Sequence, residues 1–348
     1  MKYRKKILII IVLIGLAFGF YFVYMFSRTF FWDNTIFDQE KVYVFIKEGD
    51  NFNEVRSVLT PFLKSVSDFS KAAVKKGYFT RVKSGKFILR KGSNNNEIIN
   101  TLRGKSLTVR VTFNNQERIE NLAGRVAQQI EPDSIELLKA FLDPNFLKAN
   151  GFSIDNALGM YLPDSYDFFW NTTAENFRDK MWKSYQNFWL NDRKEKLVDL
   201  GMTPLEVISL AAIVQKETQK ADERPLVAGV YLNRLKRKMK LQADPTVIYA
   251  MKLKLKNFDT VIKRVLYQDL KIKSRFNTYQ CKGLPPGPIT MPDISSIRAV
   301  LNAEQHRYLY FVANPNKPGY HLFAKNWKEH NRNKKIYTDW LNRNRVYR

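Results

Sequence analysis

From Ile7 to Phe26 the sequence ILIIIVLIGLAFGFYFVYMF carries no charged residue. Twenty residues at ~1.5 Å each cover ~30 Å as a helix, the thickness of a bilayer's hydrocarbon core, so the run predicts a membrane-spanning helix. After a short aromatic stretch, FFWDN, the pattern changes character. KVYVFI, starting at Lys41, alternates as a strand does, and Gly49-Asp50 then opens a helical pattern with Phe52, Val55, Val58 and Leu59 on one face. KFILR reads as a second strand, followed by Asn94 three residues before Glu97, a capping-box start to NEIINTLRG. Strand, turn and helix thus recur twice between residues 41 and 105, a unit of a size that suits a binding module or a spacer.

LTVRVTF, residues 107–113, is a strong β pattern, and mostly helical sequence follows to about residue 150. GMYLPDSYDFFWN, Gly159–Asn171, has the Gly, Pro, Asp and Asn punctuation of a loop loaded with aromatic rings, which serve either as a ligand platform or as core plugs. Thr172 or Thr173 then caps a helix striped by Phe177, Met181, Tyr185 and Phe188. YLYFVANP, near the C-terminus, reads as a buried strand. The fold class expected is α+β: one N-terminal transmembrane helix (1–28), a small α+β module (29–105) and a mixed α/β domain (106–348).

Charge orients this arrangement. Lys2, Arg4, Lys5 and Lys6 precede the span, and positive charge beside a span stays cytoplasmic, so the body from about residue 28 is expected outside. A cleaved signal peptide is the competing reading, but the apolar run exceeds a usual signal core and Tyr24-Met25-Phe26 offers no small-x-small cleavage site. The chain of 348 residues has a formal charge of +25, and removing the five basic residues up to Arg28, among which no acid occurs, leaves +20 on the body. An anionic partner follows. Outside the membrane, wall polymer or phospholipid headgroups replace nucleic acid as candidates, unless the excess is only dispersed over solvated faces. One cysteine, Cys281, and three histidines argue against a disulfide framework and against a metal centre of imidazole and thiolate. Catalysis is left to carboxylates and hydroxyls, with no cofactor expected.

TPLEVISLAAIVQKET, Thr203–Thr218, is the most informative stretch. Thr203, Pro204 and Glu206 form a complete helix start, which fixes the register. Leu210, Ile213 and Val214 lie seven, four and three residues before Glu217, so this carboxylate shares the core-facing side of the helix. Desolvation raises the pKa of such an acid and lets it hold a proton near neutrality, as a general acid must. The alternative is a buried glutamate paired with Arg224 or Arg234. ADERPLVAGVYLNRL begins a second helix with Asp222 as its expected cap, and the short connection brings Glu223 into the same corner. LQADPTVIYA sets Gln242, Asp244 and Thr246 around a proline at the head of another helix. SRFNTYQCKGLPPGPI puts Asn277, Thr278 and Tyr279 ahead of a rigid turn, a set suited to sugar hydroxyls and ring faces. His321 and His330 would ligate a metal only if folding brought acids beside them.

These motifs, in this order, resemble the YceG-like endolytic murein transglycosylases. The family's LASIVEKET looks like LAAIVQKET here, with YLPDSYDF upstream and ADERPLVAGVYLNRL, LQADPTVIYA, FNTY, GLPPGPI and HLFAKNWKEHN after it. The resemblance implies Glu217 as the catalytic acid, the second glutamate of the family's EKE, while Gln215 replaces the first. Ser274-Arg275-Phe276 departs from the family's more frequent Ser-Pro-Tyr. The resemblance also implies a LysM-like module at 29–105 and cleavage between N-acetylmuramic acid and N-acetylglucosamine in nascent glycan strands. Gln242, Asp244, Asn277, Thr278 and Tyr279 are implied as substrate contacts, with Glu223 behind them, and peptidoglycan synthases with the elongation or division machinery as partners, all at the inner membrane. A non-catalytic wall scaffold, or a hydrolytic muramidase using Asp244 or Glu223 as a second acid, are the remaining alternatives.

Overall fold

The computed structural model describes residues 2–262 and 264–344 and gathers them into two compact units. The first holds the chain up to Val111 and takes back residues 129–132 and 167–173; the second holds the rest.

In the first unit the helix α1 (Lys2–Phe31) runs without a break through the apolar stretch, whose side chains from Ile7 to Phe22 stay uncovered. The strands β1 (Lys41–Ile46) and β2 (Gly85–Arg90) pair antiparallel from Lys41↔Arg90 to Ile46↔Gly85, and their alternation sends Val44, Ile46, Phe87 and Leu89 inward. Helices α2 (Phe52–Leu59), α3 (Val66–Lys75) and α4 (Asn95–Arg103) close the core with Phe52, Phe69, Ile98 and Leu102. The capping box at Asn94 and Glu97 forms as the spacing required. Helix α3 has no counterpart in the sequence reading, although Ser65 accepts from the Asp68 amide in the manner of an ordinary N-cap.

The chain leaves this unit along β3 (Thr108–Phe113), which forms a two-stranded sheet with β4 (Asp164–Phe169). Here the loop expected over 159–171 is corrected. Pro163 and Asp164 only start the strand, Tyr166 stacks at 5.7 Å on Phe113, and Tyr161 and Phe168 are buried. These rings fill the interior rather than a ligand platform.

In the second unit α5 (Ile119–Ala127), α6 (Ser134–Phe141), α7 (Pro144–Ala149), α8 (Ala174–Phe188) and α9 (Asp192–Leu200) precede the central helix α10 (Pro204–Glu217). Eight consecutive residues of α10, Val207–Val214, are buried, because α11 (Arg224–Lys236), α12 (Asp244–Leu255) and α13 (Ile294–Leu301) pack around it. A stretch buried all round is expected to be apolar all round, and this one is but for Ser209, whose hydroxyl donates to the Leu205 carbonyl at 2.8 Å. The hairpin of β5 (Tyr310–Ala313) and β6 (His321–Ala324) and the helix α14 (Trp327–Arg343) complete the unit.

Candidate active site

Helix α10 ends at Glu217, three residues past Val214, the last of its buried run. Thr203 and Glu206 bond reciprocally at its start, the Thr203 amide donating to Glu206 at 2.8 Å, so the register that aims Glu217 is set by a complete cap. The carboxylate sits at the helix C-terminus, where the backbone dipole opposes a negative charge. Oε1 accepts a hydrogen bond from the Tyr231 hydroxyl of α11 at 2.6 Å. Among the described residues no lysine or arginine lies within ion-pairing distance of it. Arg224 is engaged with Asp293 at 3.0 Å, and the buried Arg234 donates to the Leu309 and Leu241 carbonyls at 2.7 and 2.6 Å. The alternative of a glutamate neutralised by either arginine is therefore not what the structure contains.

Burial pushes the Glu217 carboxyl up to about 7; the Tyr231 hydrogen bond and, more weakly, the charge of Arg234 pull it down, and Asp244 pushes it up. Tyr231 is held well above its ordinary value by the same burial and by Glu217, so its hydroxyl stays a donor. Phe311 lies edge-on to Tyr231 at 6.0 Å and to His321 at 5.0 Å, backing the pair with the β5–β6 hairpin.

The other residues singled out from the sequence fall into two groups. Asp244 is exposed at the head of α12 and accepts from the Tyr279 hydroxyl at 2.6 Å. Burial and that bond push Tyr279 upward. Gln242 is exposed and held at φ 49°, a left-handed backbone that a side chain other than glycine rarely adopts. The second group is interior. Asn277 is 0% exposed, donates to the Leu270 and Ile272 carbonyls and accepts from the Tyr279 amide at 2.9 Å. Thr278, 1% exposed, accepts from the Ala243 amide at 3.0 Å and shares a 2.8 Å contact with the Thr246 hydroxyl. Glu223 is 5% exposed and holds His321 through the backbone amide at 2.7 Å and Nδ1 at 2.8 Å. The expected cap of α11, Asp222, instead accepts from the Tyr320 hydroxyl at 2.9 Å, and the cap position falls on Glu223, whose side chain makes no capping bond to the helix. His330 stacks on Tyr310 at 5.2 Å, on the other side of the hairpin's sequence from the Glu223 pair.

Two clefts flank this arrangement. One of about 530 Å³ is lined by Asp244, Tyr279, Arg264, Leu266 and Tyr337, and one of about 430 Å³ by Lys216, Pro245, Tyr249 and Phe258; Ile248 of α12 borders both. Tyr231 was missed in the sequence, though a buried tyrosine needs a partner for its hydroxyl. Gln215, which stands where the family has the first glutamate, accepts at Oε1 from the Asp293 amide at 2.6 Å and from the Ser296 hydroxyl at 3.1 Å, tying α10 to the start of α13.

The half-buried Glu217, held by Tyr231, lies on a chain whose sequence motifs follow one order, and that order is shared with known proteins. The family model described as "YceG-like family" matches residues 44–336. The chain belongs to the YceG-like family. Among curated relatives, an endolytic murein transglycosylase of Bacillus subtilis is 29% identical over 316 residues, covering 84% of this chain and 83% of that protein. One of Streptococcus pneumoniae strain D39 is 31% identical over 175 residues, half of this chain and 31% of that longer protein. A solved YceG-like protein of Listeria monocytogenes shares 28% identity and a TM-score of 0.54, covering 85% of this chain and 99% of that one. The YceG-like match takes in both compact units, from within β1 to within α14.

Proposed function

We propose that this YceG-like protein is an endolytic murein transglycosylase with Glu217 as its catalytic acid and base. The observation that carries the reading is the carboxyl at the end of α10, raised to about 7 with no cation beside it among the described residues. A carboxyl that titrates near 7 is present in both its protonated and its ionised form near neutral pH, as an acid that later serves as base must be. Most glycosidases use two carboxylates, the second either activating water or attacking the sugar itself. Here the protonated Glu217 donates to the glycosidic oxygen, the bond to the muramic C1 breaks, and the sugar departs on its other side with that proton. The ionised Glu217 then takes the proton of the muramic C6 hydroxyl while that oxygen closes on C1, leaving a 1,6-anhydro end and returning Glu217 to its starting state.

The exposed Gln242 and Asp244 and the half-buried Tyr279 are the proposed sugar contacts. Asn277 and Thr278 act by setting the Tyr279 loop against the head of α12, and Glu223 by fixing His321, since their polar atoms are already engaged inside the protein. Clefts on two sides of α12 suit a strand bound through its interior rather than at its tip. Asp244, close enough to raise Glu217, favours the hydrolytic alternative as a second reading.

In the same proposal α1 spans the inner membrane with its basic N-terminus in the cytoplasm, the 29–105 module is LysM-like, residues 106–348 form the catalytic domain, and peptidoglycan synthases are the partners. The test is mass analysis of termini from purified glycan strands. Anhydro ends, one water lighter than reducing ends, support transfer; reducing ends support hydrolysis; a Glu217→Gln variant that still releases anhydro products removes Glu217 from the mechanism.

A further inference from the structure

Helix α1 is not a tether. Its last turn belongs to the first unit: Phe30 is in the core, the buried Asn95 side chain donates to the Thr29 carbonyl at 2.8 Å, and Arg28 pairs with Asp68 of α3 at 3.5 Å. About two turns further along α3, the Lys75 amine lies 5.8 Å from the Phe26 ring and 6.0 Å from that of Phe22. Asp68 thus stands level with Arg28 and Lys75 level with Phe22–Phe26, so α3 runs antiparallel to α1 and descends along it. Phe22 and Phe26 lie inside the uncharged run. The C-terminal end of α3 overlaps the last turn of the span itself.

We infer that the descending end of α3 lies in the outer headgroup layer and binds anionic phospholipid. Lys71 and Lys75, four apart on one face, are both exposed, and Val74 and Phe79 at the same end are 58% and 53% exposed. Ammonium groups over apolar side chains are the composition of an interfacial surface, the amines meeting phosphate while the aliphatic and aromatic parts enter the acyl boundary. Lys75 over two rings of the span is placed as a lysine that snorkels. Asp68, the one acid on α3, is already shared between Arg28 and Lys71. The occupant is argued from continuity with the span, whose last turn carries the Phe22 and Phe26 rings beside this end of α3.

This inference rests on α1 crossing the membrane, and the test separates the two. The full chain carrying Cys281→Ser and a single Val74→Cys or Phe79→Cys, labelled with an environment-sensitive fluorophore, is reconstituted in phosphatidylglycerol–phosphatidylcholine vesicles bearing headgroup-level spin-labelled lipid. Lys91→Cys is the control, just after β2, where the next residue, Gly92, donates to Thr35, four residues past the end of α1. Quenching at 74 and 79 but not at 91, reduced in pure phosphatidylcholine and in a Lys71→Glu/Lys75→Glu variant, is expected. Protein that floats with vesicles and resists alkaline extraction, yet shows no quenching at 74 and 79, overturns the docking while leaving the span. Equal quenching in neutral vesicles overturns the anionic assignment. Protein that does not float at all overturns the span and the docking with it.

Discussion

Replacing Glu217 by glutamine is expected to abolish glycan cleavage and, at alkaline pH, to make the protein more stable. The argument is one of linkage. The folded-state value of about 7 lies above the ordinary 4.5, so this group's contribution to stability is whole below about pH 4.5 and is lost as the pH rises through 7. The gap corresponds to ~3 kcal/mol of destabilisation above pH 8, the work of holding a charge in the corner between α10 and α11. Glutamine never ionises and still offers Tyr231 an acceptor, so it escapes that penalty. Spread over a unit of this size, ~3 kcal/mol is ~5–10 °C in the unfolding temperature. Scanning wild type and Glu217→Gln at pH 4 and pH 8.5 checks this: the curves should nearly coincide at the lower pH and separate at the higher, the variant melting later. A variant that melts earlier at pH 8.5, or by the same margin at both, refutes the claim that Glu217 is held against ionisation.

Two substitutions should move the pH dependence of cleavage in opposite directions. Tyr231→Phe removes the hydrogen bond that favours the carboxylate, so the alkaline limb of the rate profile moves to higher pH while the plateau falls about tenfold with the loss of an orienting bond. Asp244→Asn removes a charge that disfavours ionisation, and the same limb moves to lower pH. Gly287→Ala should destabilise the second unit by ~1–3 kcal/mol in urea unfolding, because a Cβ there would stand 2.2 Å from the Asp155 carbonyl oxygen and neither backbone can yield freely.

Where the physics is local, the sequence carried it. The span, the paired strand-and-helix halves of the first unit and the start of α10 each rest on contacts within four residues, which spacing alone reveals. Helix α3 was as legible as these, since Ser65 and Asp68 mark its cap, but no long apolar stripe drew attention to it. The strand β4 was hidden because Pro163 and Asp164 punctuate its start like a loop, and only pairing with β3, some fifty residues earlier, makes it a strand. At the site, the out-of-place acid was visible from helical register, yet its partner was not: Tyr231 reaches it across a turn. Polar loop residues were the hardest to read. Asn277 and Tyr279 look alike in a string, and only the fold turns one inward to hold backbone and leaves the other beside Asp244. Glu223 likewise meets His321 from 98 residues away, beyond the reach of any periodicity.

The central claim concerns a single proton, and carbon NMR of the Glu217 side chain observes it directly. With carboxyl-labelled glutamate and the Glu217→Gln variant for assignment, the account predicts a titration midpoint near 7, rising in Tyr231→Phe. A midpoint at or below the ordinary 4.5 would mean that the carboxyl is ionised where the enzyme works, and would contradict it.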